Sequence, residues 1–155
     1  MWVSRRADYA TRAVLVLAIA EGGPMKLEEL ARRTAVPQSV LEQVMPVVRT
    51  AGIVRSERGP YGGYRLNKLP EEITLERIVR LFQGQLAPIA CATRHHPEPC
   101  PMTPACSLRD VWSEVRDATI AILERTTFAE LARRAGGPWV DPSLVGPEPN
   151  PPIPA

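Results

Sequence analysis

The chain has 155 residues, 45% apolar and 23% charged, which suits one soluble domain or two very small ones and argues against wholesale disorder. No apolar run approaches the ~20 residues of a membrane span. Asp8 and Arg12 interrupt the stretch beyond Arg5 and Arg6, so the amino terminus does not read as a signal peptide and a cytoplasmic protein with no membrane partner is expected. The formal charge of +2 is unevenly spread: residues 1–68 hold 11 Lys/Arg against 6 Asp/Glu, residues 69–135 hold 8 against 9, and residues 136–155 hold none against 2. A polyanionic partner is therefore expected at the first half.

Helical spacing of Tyr9, Ala13, Val16, Leu17 and Ala20 predicts a first helix over Arg6 to Glu21, capped by Ser4 and stopped by Gly22-Gly23-Pro24. A second runs from Leu27 to Thr34. A third begins near Gln38, with Pro37 in its first turn, Leu41, Val44, Val47 and Val48 facing inward, and Gly52 ending it. Pro46 lies inside this third helix. It deletes a backbone bond to the carbonyl of Glu42, so a kink or a restart is expected there. Two short runs, Ile53 to Glu57 and Tyr64 to Asn67, flank Arg58-Gly59-Pro60-Tyr61-Gly62-Gly63 and predict a hairpin.

A helix comes next over Leu75 to Phe82, with Ile78, Leu81 and Phe82 expected to be buried. Beyond it lies a proline-studded loop from Gln83 to Pro104. A long helix is expected from Leu108 to about Glu124, opened by a capping box of Ser107 and Asp110. Its apolar face holds Val111, Val115, Ala118 and Ile122, with Trp112 and Leu123 beside them. Thr127 to Glu130 repeats the capping box for a last short helix. Residues 136–155 contain seven of the 17 prolines and read as a disordered or polyproline-like tail, with Trp139 and Val140 able to dock its start.

Three short helices and a two-stranded hairpin make the order of a winged helix-turn-helix. The fold class is therefore mainly α with a small β-hairpin wing: a winged helix-turn-helix plus a long helix. In such a head the second helix of the pair lies in the major groove. Gln38, Ser39, Glu42 and Gln43 are the base-reading candidates, since glutamine pairs with adenine and glutamate accepts from cytosine. Arg58, Gly59 and Tyr61 stand at the wing tip, while Arg5, Arg6, Arg49, Arg55 and Arg65 suit phosphates. Each residue alone could equally be a solvated surface; the whole order in the basic half points to double-stranded DNA.

Cys91, Cys100 and Cys106 lie in a stretch with little apolar material to bury them. Three readings remain open on spacing: an iron–sulfur cluster, a zinc site completed by His95 or His96, or a thiol switch. A small redox enzyme or electron carrier is a minor alternative, because the chain offers no cofactor-binding glycine motif and no nucleophile–base pair.

These residues together resemble the Rrf2 family of winged-helix regulators, which includes IscR-, NsrR- and RirA-like members. The resemblance covers about residues 1–135. It rests on Ser4 to Ala10, Leu41-Glu42-Gln43, Ala51 to Val54, the wing Arg58 to Leu66, Pro70 to Thr74, and the cysteine trio followed by Leu108 and Trp112. The resemblance implies a DNA-binding head over 1–82 and a cluster loop and dimerisation helix over 83–135, with the proline-rich tail over 136–155 outside it.

It further implies a homodimer on a near-palindromic operator, acting as a repressor. An iron–sulfur cluster on Cys91, Cys100 and Cys106 would sense nitric oxide, redox state or iron, with 4Fe–4S preferred to 2Fe–2S. As in NsrR-like members, Asp8 of the partner subunit is the candidate fourth ligand, and His95 or His96 is the alternative. The histidine ligand of IscR-like members is replaced here by Arg109. The chain also departs from the family at Tyr61, where glycine is usual, and in a longer gap between Cys91 and Cys100.

Overall fold

The computed structural model describes residues 3–20 and 23–135. The expected tail over 136–155, with Trp139 and Val140, lies outside the described residues, as does the expected end of the first helix at Glu21 and Gly22.

Helix α1 spans Arg5–Ile19 and is capped by Ser4, whose hydroxyl accepts from the Ala7 N–H at 3.2 Å. Ala10, Ala13, Val14 and Leu17 bury one side of it in the main core. Helix α2 (Leu27–Thr34) ends on Ala35 in the left-handed conformation. Helix α3 spans Gln38–Thr50. Pro37 stands one position before α3 rather than in its first turn, and its carbonyl accepts from the N–H groups of Val40 and Leu41 at 3.0 and 3.2 Å.

The expected restart at Pro46 does not occur, and α3 is one uninterrupted helix. Leu41, Val44, Met45 and Val48 are fully buried around the proline, so packing holds the backbone helical. The carbonyl that loses its partner belongs to exposed Glu42, where water can reach it. Val47, expected inside, is exposed, and Met45 takes that place in the core.

Strands β1 (Val54–Glu57) and β2 (Gly63–Leu66) pair antiparallel, with Val54 opposite Leu66 and Arg55 opposite Arg65. Met25, just before α2, adds a backbone pairing to the hairpin: it exchanges two hydrogen bonds with Tyr64, of 2.9 and 2.8 Å. This close approach demands glycine next door. A Cβ on Gly63 would stand 2.3 Å from the Met25 carbonyl oxygen.

Helix α4 (Leu75–Gln83) is capped by Thr74 and buries Ile78 and Val79. Leu81 is exposed and Phe82 only half-buried, contrary to expectation, because α4 turns Ile78 rather than Leu81 toward α1. Short 3₁₀ turns lie at Ala90–Ala92 and Thr103–Ala105. Helix α5 spans Ser107–Arg125, and α6 spans Phe128–Arg134.

The capping box expected at the start of α5 is absent. Cys106 is the N-cap and Ser107 is already helical, so Ser107 stands one residue too late to cap. At α6 the Thr127 hydroxyl does accept from the Glu130 N–H at 3.2 Å, while the Glu130 carboxylate pairs with Arg134 instead. Helix α6 returns to α1, where Phe128 is fully buried in the main core and donates its N–H to Ile73 at 2.9 Å. Thr127→Ala is expected to cost about 1 kcal/mol. Thermal melting should report it as a fall of roughly 2–4 °C.

Only Ile120 of α5 is buried, in a second small cluster with Val79 and Leu86. The helix carries instead an exposed apolar stripe of Leu108, Val111, Trp112, Val115 and Ile122. No helix among the described residues is long and apolar enough to cross a membrane.

Candidate functional site

The amino-terminal half of α3 presents Gln38, Ser39, Glu42 and Gln43 on one exposed face. Two contacts orient it. The Gln38 amide donates to a Glu42 carboxylate oxygen at 3.1 Å, and Arg6 of α1 donates to the Gln43 side-chain oxygen at 3.2 Å. With that oxygen engaged, Gln43 has its NH₂ group to offer a base edge. Arg6, expected only as a phosphate contact, thus also orients a base-reading candidate; its reach across the fold left no mark in sequence spacing.

Arg49, at the far end of α3, donates to Ser56 of β1 at 3.4 Å and so ties the helix to the wing. Arg55 and Arg65 lie opposite one another on the two strands, and each approaches a Glu57 oxygen at 3.4 Å. These exposed pairs hold the cations loosely.

The wing tip is a tight turn closed by the Gly62 N–H donating to the Gly59 carbonyl at 2.9 Å. Gly59 has φ +107°, and a Cβ on Gly62 would stand 2.2 Å from the Glu57 carbonyl oxygen. The turn therefore projects Arg58 and Tyr61 outward, with Tyr61 89% exposed. An aromatic ring held so far into solvent is positioned to meet another surface.

The cysteines form a second locus. Cys91 lies in the Ala90–Ala92 turn, Cys100 in the loop beyond it, and Cys106 at the start of α5. All three are free thiols and half-buried. Their chemistry suits a thiolate-bound cluster. Their arrangement does not yet supply one: among the described residues no three His, Cys, Asp or Glu side chains converge as a metal set.

Asp8 sits in the first turn of α1 and pairs with Arg12 at 2.7 Å. His95 and His96 are exposed, and His96 has a left-handed backbone, φ +52°. His95 lines a cavity of about 230 Å³ together with Arg80, Arg94 and Arg116.

Sequence reading missed the contacts that fasten the Cys91 turn. Arg109 Nε donates to the Cys91 carbonyl at 3.1 Å, and Arg116 donates to the Ala92 carbonyl. Asp117 accepts from Arg116 at 2.9 Å and from Arg94 at 3.0 Å. The hydrogen bond from Arg116, more than that from Arg94, lowers the Asp117 carboxyl to about 2. Its charge therefore persists as pH falls through the usual carboxylate range and is lost only near that value.

A family model described as Rrf2, iron-dependent transcriptional regulator, matches residues 3–134. The transcriptional regulator CymR of Bacillus subtilis is 32% identical over 138 residues, which is 88% of this chain and 94% of the relative. The regulator NsrR of Geobacillus kaustophilus is 30% identical over 132 residues, 84% of this chain and 89% of the relative. Among solved structures, B. subtilis CymR, described as a global cysteine regulator, superimposes with a TM-score of 0.74 at 30% identity, covering 87% of this chain and 98% of that one. The IscR of T. potens does so with a TM-score of 0.67 at 28% identity, covering 94% and 93%.

Proposed function

The chain belongs to the Rrf2 family of transcriptional regulators, whose members are not enzymes, and from that membership we propose a homodimeric DNA-binding repressor governed by Cys91, Cys100 and Cys106. The observation that carries the DNA reading is the exposed polar face of α3 beside a rigid, projecting wing, both in the basic half of the chain. Gln38, Ser39, Glu42 and Gln43 read base edges in the major groove. Arg49, Arg55 and Arg58 hold phosphates, and Gly59 and Tyr61 bring the wing tip to the flanking groove.

The exposed stripe on α5 supports the homodimer. Two copies of this stripe would bury one another and set two heads about one helical turn apart, which suits a near-palindromic operator.

For the sensor we read Cys91, Cys100 and Cys106 as thiolate ligands of an iron–sulfur cluster, 4Fe–4S in preference to 2Fe–2S, with Asp8 of the partner subunit as fourth ligand and His95 or His96 as the alternative. The iron dependence in the family description and the three free thiols support this. When bound, such a cluster supplies an iron site open to nitric oxide, redox change or iron loss. A second reading, a cysteine-only thiol switch, is favoured by two observations: the thiols do not converge as a metal set among the described residues, and a similar solved structure, that of Staphylococcus aureus CymR, is described as an oxidized form. A zinc site of the same residues has no comparable support.

Selection of duplexes from a random pool by anaerobically purified protein tests the DNA reading. It should recover a near-palindrome with half-sites about 10 base pairs apart. Affinity for the recovered duplex should fall at least about tenfold between 50 and 200 mM salt. A pool with no consensus and a flat salt response would refute it.

A further inference from the structure

We infer that Arg109 and Arg116 are positioning residues, a two-arginine clamp by which the state of Cys91 is transmitted to α5. The inference rests on the proposed role of the cysteines and of the α5 stripe.

Helix α5 carries the apolar stripe Leu108, Val111, Trp112, Val115 and Ile122. Arg109 and Arg116, seven residues and hence two turns apart, run along the Trp112 edge of that stripe, with buried Ile120 one turn further. The guanidinium of Arg109 holds the Cys91 carbonyl, and that of Arg116 holds the next carbonyl, Ala92. Asp117 braces Arg116, accepting from it and also from Arg94 of the loop itself. The Arg116 side chain is only 12% exposed, so its fork has little freedom to follow the turn by bending alone.

A backbone carbonyl cannot be altered by side-chain mutation or oxidation, yet it moves with its residue. Any change at the Cys91 sulfur that rotates the Ala90–Ala92 turn shifts two acceptors held by one helix. Neutral contacts would let the turn slip. Charge-assisted bonds at two successive carbonyls transmit the displacement into α5, and so into the stripe whose Trp112 lies between the two arginines.

The test needs no metal. The full chain carrying Cys100→Ser and Cys106→Ser has Cys91 as its sole thiol. Iodoacetamide then changes that one sulfur, and two readouts are taken: amide hydrogen exchange of residues 107–117 and affinity for the selected duplex. With the clamp intact, alkylation should change α5 exchange at least about fivefold and duplex affinity by a similar factor, equivalent to about 1 kcal/mol of coupling.

Adding Arg109→Gln and Arg116→Met should reduce both responses below about twofold, while far-UV dichroism stays unchanged. Arg116→Lys, which retains a donor for the Ala92 carbonyl, should restore part of them; a purely structural role predicts no such rescue. Arg109→Gln alone, which leaves the Arg116–Asp117 pair in place, covers the case in which the double variant fails to fold. Equal responses with and without the clamp, or no response with it intact, would overturn the inference. If no duplex is bound under any condition, the DNA reading fails, and the exchange measurement still decides the clamp.

Discussion

Val115→Asp should split the dimer and lower operator affinity at least about a hundredfold, while the far-UV dichroism of the protomer stays unchanged. Val115 lies at the middle of the α5 stripe and is exposed in the single chain, so a carboxylate there disturbs no packing within the protomer. Pairing of two stripes removes Leu108, Val111, Trp112, Val115 and Ile122 from water. Each such side chain is worth roughly 1.5–3 kcal/mol on full burial. Two unpaired carboxylates forced into that seam would cost several kcal/mol. A monomer then meets one half-site at a time and loses the gain of having its second head held nearby. Sedimentation and duplex titration read the two effects together. A variant that remains dimeric and binds as tightly as the parent would remove α5 as the interface.

The second large effect concerns the thiols. Cys91→Ser, Cys100→Ser and Cys106→Ser should each abolish the brown colour of anaerobically prepared protein, together with its iron and sulfide. A serine hydroxyl is far less acidic than a thiol and a much weaker ligand for such a cluster at neutral pH, and with three cysteines in the chain there is no spare thiolate. Each variant should also lose the response of operator affinity to nitric oxide or oxidant. Colourless parent protein whose DNA affinity still responds reversibly to oxidant and dithiol would shift the assignment to the thiol switch. Loss of colour in none of the three would exclude these cysteines as ligands.

Much of this was legible in the chain itself. The helix starts at Ser4, Thr74 and Thr127 arise from hydroxyls that accept from the N–H three residues on, a local rule with a local signature. The wing is legible for the same reason. Gly59, Gly62 and Gly63 mark where backbone approaches backbone too closely for a Cβ, or where φ is positive. Errors arose where a local rule met a distant neighbour. Pro46 calls locally for a kink or a restart in α3; the restart does not occur, because fully buried Met45, Val44 and Val48 keep the helix continuous around it. Ser107 has the spacing of a cap, but the helix begins after Cys106. Val47 and Leu81 satisfy helical periodicity and still face outward, since periodicity identifies a stripe and not its exact edges.

The order of elements, the basic reading head, the projecting wing and the presence of three thiols were determined by sequence alone, because each depends on residues a few positions apart. Tertiary structure decided the rest: Met25 pairing with the hairpin, α6 returning to α1, Arg6 reaching Gln43, and two arginines of α5 grasping the carbonyls of Cys91 and Ala92. Those contacts join segments distant along the chain, and several end on backbone atoms. A carbonyl is the same in every residue, so nothing in the order of side chains announces which one a guanidinium will find.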